Sequence, residues 1–170
     1  NNGYLDVLDL CSGSGCVGLS IANLSKTKVT LADISPKALN LSKKNAKTLG
    51  IKCKFILSDG FNKIKKGAKF NLIISNPPYI IESDYAQLEP EVKQEPKLAL
   101  TASENGMYFY KLIADNARKF LYNGGCVIVE LNSKLDNKVF EVFKLAGLQN
   151  LEFIKGYDSK NIGLKGYFNG

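Results

Sequence analysis

The sequence predicts an α/β fold, a mostly parallel sheet with helices on both faces. Three observations predict it. Strand-like and helix-like patterns alternate along the chain, a glycine-rich turn follows the first strand, and the last two apolar stretches are close enough to pair antiparallel.

Tyr4–Leu10 reads as a buried strand, Cys11–Gly15 as a turn and Val17–Leu24 as a helix. Lys28–Ala32 follows as a second strand. Pro36–Leu49 is the next helix, with Ser35 as cap, Pro36 in its first turn and Gly50 closing it. Lys52–Leu57 and Phe70–Ser75 are the third and fourth strands. Residues 80–105 read as a long polar loop holding Pro90 and Pro96, of the length that functional loops have. Gly106–Leu121 is a helix ending at Asn123-Gly124-Gly125. Cys126–Leu131 is a fifth strand, and Leu135–Ala146 a helix closed by Gly147. Leu151–Tyr157 and Ile162–Phe168 form the closing antiparallel pair.

A chain of 170 residues fits one domain with a full core, and 45% hydrophobic with 23% charged residues is ordinary for a soluble protein. No apolar run is long enough to span a membrane, and the N-terminus has no signal-peptide pattern. A cytoplasmic monomer without membrane contact is expected. The chain opens at Asn1 rather than Met and is read as a piece of something longer. Cys11, Cys16, Cys53 and Cys126 form no CxxC pair and histidine is absent, which argues against a zinc site and against Ser-His or Cys-His nucleophiles. The thiols are expected reduced and mostly buried. The net charge of +7 comes from lysines clustered in Lys43–Lys54 and Lys63–Lys69, with Arg118 the only arginine. Solvated lysine faces explain this better than a nucleic-acid track, and they suit approach to an RNA-bound partner.

The corner Asn76-Pro77-Pro78-Tyr79 is the most informative segment. Proline ends a central strand and holds the preceding residue extended, so the fourth strand stops at a stiff turn. That turn offers an amide side chain, fixed carbonyls and an aromatic ring. Such groups suit a planar nitrogen, with acceptors for its N–H bonds and a flat face to stack on. A plain strand-ending turn with Tyr79 in the core is the rival explanation.

Asp9-Leu10-Cys11-Ser12-Gly13-Ser14-Gly15 follows the first strand, and Gly13, Gly15 and Gly18 satisfy the dinucleotide fingerprint, with Asp33 closing the second strand. NAD and S-adenosylmethionine both fit these features, as does a glycine turn that serves only chain reversal. Asp9 favours the sulfonium cofactor, because a carboxylate suits an ammonium or sulfonium better than a pyrophosphate. Asp59, after the third strand, is placed to accept from an adenine amino group. Asp9, Asp33, Asp59 and Asn76 all fall at carboxyl ends of strands, where open α/β sheets bind ligands.

Asp9–Gly15, Ala32-Asp33-Ile34-Ser35-Pro36, Ser58-Asp59-Gly60-Phe61 and Ser75–Ile80 resemble the class I S-adenosylmethionine-dependent methyltransferases that act on amino groups. Glu95–Leu100, Asn105–Tyr110 and Gly124-Gly125 followed by Glu130 resemble, more narrowly, the release-factor glutamine N5-methyltransferases. The resemblance implies a Rossmann-like sheet of seven strands, mostly parallel with an antiparallel C-terminal strand. It further implies that residues 1–170 are a catalytic domain without the family's helical N-terminal domain.

The implied substrate is the glutamine of the Gly-Gly-Gln loop of peptide chain release factors, with S-adenosylhomocysteine as product. Cys11, Ser12, Gly13, Ser14 and Gly15, with Asp9, would line the methionine part of the cofactor. Asp33 and Ile34 would hold the ribose, Asp59, Gly60 and Phe61 the adenine side. Asn76, Pro77, Pro78 and Tyr79 would clamp the target amide, Asn76 also meeting the cofactor. The pattern departs at Cys11 and Asn132, where glycine is usual, at Gly60, where an aromatic is common, and at Lys160-Asn161, where an arginine is expected. An N-methyltransferase of adenine or guanine in DNA or RNA shares the proline corner and is the enzymatic alternative. A fragment that binds cofactor without acting is the other.

Overall fold

The computed structural model describes residues 3–170. Its strands are β1 (Leu5–Leu10), β2 (Thr27–Asp33), β3 (Lys54–Leu57), β4 (Phe70–Ser75), the two-residue β5 (Ile80–Ile81) and β6 (Thr101–Ala102), then β7 (Leu121–Glu130), β8 (Gln149–Lys155) and β9 (Asn161–Phe168). Its helices are α1 (Cys16–Leu24), α2 (Pro36–Leu49), α3 (Lys97–Leu100), α4 (Tyr108–Phe120) and α5 (Asp136–Leu145).

Seven strands form one sheet in the order β3-β2-β1-β4-β7-β9-β8. β1 pairs parallel with β2 and β4, β2 with β3, and β4 with β7. The closing strand β9 inserts between β7 and β8, antiparallel to both. The α/β class and the antiparallel C-terminal strand are therefore those expected.

β1 is central, and Val7 through Leu10 are all buried. Successive residues of a strand point to opposite faces, so the two faces recruit different helices. Val7 packs with Leu19 of α1, Ala46 of α2, and Val29 and Leu31 of β2. Leu8 and Leu10 join Ile73, Val127, Tyr110 and Ile113 under α4, and Val139 and Phe143 of α5 extend that core. The Ser35 hydroxyl accepts from the Ala38 N–H at 3.2 Å and caps α2, which ends at Gly50 in left-handed geometry. Among the described residues no helix is long and apolar enough to cross a membrane.

Three expectations about the elements are corrected. The stretch 80–105 is not a structureless loop: β5 pairs parallel with β6, and short 3-10 turns and α3 lie between them. The Tyr79 N–H donates to the Leu100 carbonyl at 3.2 Å and ties the two ends of the stretch together. α4 begins at Tyr108 rather than Gly106, because Asn105 and Gly106 have φ of 54° and 83°, which a right-handed helix cannot contain. The fifth long strand begins at Leu121, not Cys126. Gly124 sits inside it at φ 77°, next to a register shift against β4 that absorbs what reads as a turn.

The four cysteines are free, three of them half-buried; Cys16 is exposed, against the expectation of mostly buried thiols.

Candidate active site

Parallel pairing of β3, β2, β1 and β4 puts the carboxyl ends of all four strands on one rim. Asp59, Asp33, the Cys11–Gly15 turn and Asn76 follow those ends in that spatial order. Neighbouring strands are about 4.8 Å apart, so the row spans roughly 14 Å. Leu10 pairs with Ser75, which makes the glycine turn and Asn76 leave from adjacent strand ends. The Ser75 hydroxyl donates to the Leu10 carbonyl at 2.7 Å and locks that junction.

The glycines of the turn have separate duties. Gly13 has φ 56°, and a Cβ there would meet nothing within 4 Å, so its open side faces free space at the rim. At Gly15 a Cβ would come within 2.9 Å of the Leu31 side chain, and at Gly18 within 2.7 Å of the Asp9 carboxylate. Those two positions let α1 pack closely on the sheet. The Gly13 N–H donates to Asp33 Oδ2 at 2.7 Å and the Ser35 N–H to Oδ1 at 2.8 Å, so the turn is fastened to the end of β2. Asn45 of α2 donates from Nδ2 to the Ser14 carbonyl at 2.9 Å. Ser12 Oγ is buried with no hydrogen-bond partner among the described residues. Cys11 holds φ 58°, a left-handed conformation that glycine adopts more cheaply, and burial pushes its thiol up to about 12, which keeps it protonated.

Asp9 is only 2% exposed and accepts from the Gly18 N–H at 2.8 Å. Burial pushes its carboxyl up to about 7, against the pull of that bond, and the charge of Asp33 pushes the same way. Ile34 is exposed at the start of the β2–α2 turn. Asp59 is exposed, while Gly60 is buried at φ 51° against Leu112 of α4. The Ser58 hydroxyl donates to the Gly60 carbonyl at 2.7 Å and accepts from the Lys63 N–H, bracing this bend. The Phe61 ring is 6% exposed and stacks on Phe120 with centroids 5.0 Å apart. Its side chain belongs to the core rather than to the rim.

Pro77 and Pro78 are buried, whereas Asn76 is exposed and its amide makes no hydrogen bond with the other described residues. Asn76 lines a cavity of about 180 Å³ with Val17 of α1, Ile74, Ile128 and Glu130. Tyr79 is half-buried and its hydroxyl donates to Glu130 Oε1 at 3.0 Å. Burial, then the Glu130 charge, pushes that phenol up to about 12.

Glu130 and Gly106 enter the sequence reading only within the segments that carry the resemblance and the expected helix, with no part in the site, yet both shape this corner. A Cβ at Gly106, with φ 83°, would come within 2.4 Å of the Tyr79 carbonyl oxygen. Gly106→Ala is therefore expected to cost at least about 1–2 kcal/mol in left-handed strain alone, and more as the corner is displaced. Chemical denaturation of the variant beside the unsubstituted chain checks this. Among the described residues no cluster of metal-ligating side chains occurs.

The model of the methyltransferase small domain matches residues 2–95, more than half of the chain. The chain belongs to the methyltransferase small domain family. This methyltransferase domain is 37% identical to a release factor glutamine methyltransferase of Clostridium acetobutylicum, matching 92% of this chain and 56% of that protein. It is 41% identical to a ribosomal protein uL3 glutamine methyltransferase of Francisella tularensis, over 75% of this chain and 41% of that protein. The chain thus spans about half the length of the curated relatives it matches. Among solved structures, a methyltransferase from Pyrococcus furiosus superposes with a TM-score of 0.76 at 19% identity, covering 99% of this chain and 77% of that one. That likeness concerns the fold.

Proposed function

We propose that this chain binds S-adenosylmethionine across the Cys11–Gly15 turn and methylates the side-chain amide nitrogen, N5, of a glutamine. The preferred substrate is the glutamine of the Gly-Gly-Gln loop of peptide chain release factors. One observation carries the reading: the free Asn76 amide and the glycine turn leave adjacent strand ends on one rim. That both relatives are named glutamine methyltransferases supports glutamine as the acceptor.

The residues at the rim fit the cofactor. Gly13 leaves open space where a side chain would stand, Ser12 Oγ lacks a partner, and Asp33, joined by Asp9 once it ionises near pH 7, puts negative charge beside the turn. That charge suits a cation and opposes a pyrophosphate, which favours S-adenosylmethionine over NAD. Ser12, Gly13, Ser14 and Gly15, with Asp9 and Cys11, would hold the methionine part, Asp33 and Ile34 the ribose. Asp59 and Gly60 would hold the adenine side, with the backbone of Phe61. When bound, the cofactor supplies an electrophilic methyl carbon on a sulfonium.

An amide nitrogen is a weak nucleophile because its lone pair is delocalised into the carbonyl. The Asn76 side-chain oxygen and the Pro77 carbonyl would accept one N–H each, which draws the lone pair out of conjugation and aims it at the methyl carbon. Pro78 stiffens the corner and Tyr79 supplies a flat surface for the amide. Held there, the amide nitrogen would take the methyl group, the cofactor's sulfur would leave as a neutral thioether, and the nitrogen would give up one proton to solvent. Positioning provides the rate, in keeping with a chain that has no histidine.

The test uses labelled S-adenosylmethionine with release factors, ribosomal protein uL3, and DNA and RNA in parallel, and maps the label by mass spectrometry. Label on the Gly-Gly-Gln glutamine is the expected result. Label on uL3 alone would move the substrate within the same chemistry, and label on a base would overturn the amide reading. Cofactor binding without any transfer would leave a binding fragment.

A further inference from the structure

The Asn-Pro-Pro-Tyr corner is held by the far end of β7, through a contact that no sequence pattern announces. Glu130 is the last residue of β7 and lines the same cavity as Asn76. Its Oε1 takes the Tyr79 hydroxyl at 3.0 Å, across fifty-one positions of sequence. Glu130 is itself fixed from behind. The Tyr110 hydroxyl, on a fully buried side chain of α4, donates to the Glu130 carbonyl at 3.0 Å and accepts from the Asn132 N–H at 3.3 Å. Tyr79 is also pinned through its backbone, by the Leu100 carbonyl and by the close approach of Gly106.

We infer that Glu130 is a positioning residue of the transfer reaction, holding the Tyr79 ring at the angle at which it flanks the acceptor amide. The inference rests on the proposed function and deepens it. The Tyr79 ring packs along one side on the core, and without a partner for its hydroxyl its tip loses the bond that sets its angle, so a flat amide packed on it loses its fixed plane. A bond to an ionised acceptor is stronger and more directional than one to water. The buried Tyr110 fixes the backbone from which the exposed Glu130 side chain reaches the hydroxyl. A misaligned acceptor loses rate while still binding, because alignment acts on the step and not on the encounter.

Four variants of the full chain test this: Glu130→Ala, Glu130→Gln, Tyr79→Phe, and Glu130→Ala combined with Tyr79→Phe. Glu130→Ala is expected to lower kcat roughly tenfold, the size of one hydrogen bond to a charged group, with KM and cofactor affinity little changed. Glu130→Gln keeps an acceptor and is expected to recover most of that loss. In the Tyr79→Phe background, which has no hydroxyl to hold, Glu130→Ala is expected to cost nothing further.

A readout independent of turnover is carbon-13 NMR of the Tyr79 ring, titrated to about pH 10.5, just past the ordinary phenol value. The ring should stay un-ionised in the unsubstituted chain, and in Glu130→Ala its ionisation should set in at lower pH than in that chain, burial still holding it above the ordinary phenol value. Additive losses in the double variant, or full transfer by Glu130→Ala, overturn the inference alone. An equal loss in Glu130→Gln and Glu130→Ala also overturns it, in favour of a direct role for the charge. Absence of transfer by the unsubstituted chain overturns the proposed function instead.

Discussion

Asn76→Ala is expected to lower methyl transfer by at least about 100-fold, the usual loss for one pre-aimed polar group at a reacting centre. The affinity for S-adenosylmethionine should stay within about threefold, since the loss of an exposed amide leaves the glycine turn and its fastening to Asp33 untouched. The separation of the two effects is what makes the variant informative. Asn76 is exposed, so truncating it leaves no cavity in the core and stability should hold. Calorimetric titration of the cofactor and a labelled-methyl assay on one preparation give both numbers. Unchanged turnover would end the assignment of Asn76 to the acceptor amide.

Asp9→Asn is expected to stabilise the chain at neutral pH, by an amount on the order of 2–4 kcal/mol. Asp9 is buried and its carboxyl is raised from the ordinary 3.8 to about 7, chiefly by desolvation. A raised acid binds its proton more tightly folded than unfolded, so the folded state holds more protons between those two values. Stability therefore falls as pH climbs from about 4 to about 7, and the full penalty persists above that. Asparagine keeps an acceptor for the Gly18 N–H and carries no charge, so the variant should lose this slope. Denaturant unfolding of both proteins from about pH 4 to about pH 8 gives the difference curve, in which other acids cancel. A flat difference would show that Asp9 ionises in the fold at no cost. The same linkage extends to ligands. A cation seated beside Asp9 favours the ionised carboxylate, so its affinity should rise as pH passes through 7, and Asp9→Asn should remove that rise.

Much of the rim was legible in the chain itself. Asp33 after an apolar run, Gly13 and Gly15 before a helix, and Asn76 before two prolines are local signals: each needs only a strand that stops and a backbone that turns. Parallel order then carries them to one edge, because every parallel strand presents the same end there. Boundaries that depended on partners were misread. Gly124 and Gly125 look like a turn, yet they lie within β7 because the β4 register shift accommodates them. Pro90 and Pro96 suggest open loop, yet β5 and β6 close that segment into a parallel pair.

Taken alone, the sequence determined the turns that close the parallel strands at the rim and which residues stand there, since these follow from backbone preference and hydrophobic spacing over a few residues, while the class of chemistry came from the resemblance of those segments to a known family. Tertiary structure alone decided what each side chain does at its place. It turned Asp9 inward onto α1, drew the Phe61 ring into the core, set Gly106 against the Tyr79 carbonyl and brought Glu130 to the Tyr79 hydroxyl. Those outcomes depend on which distant surfaces meet when the two faces of the sheet are covered, and no spacing along the chain encodes them.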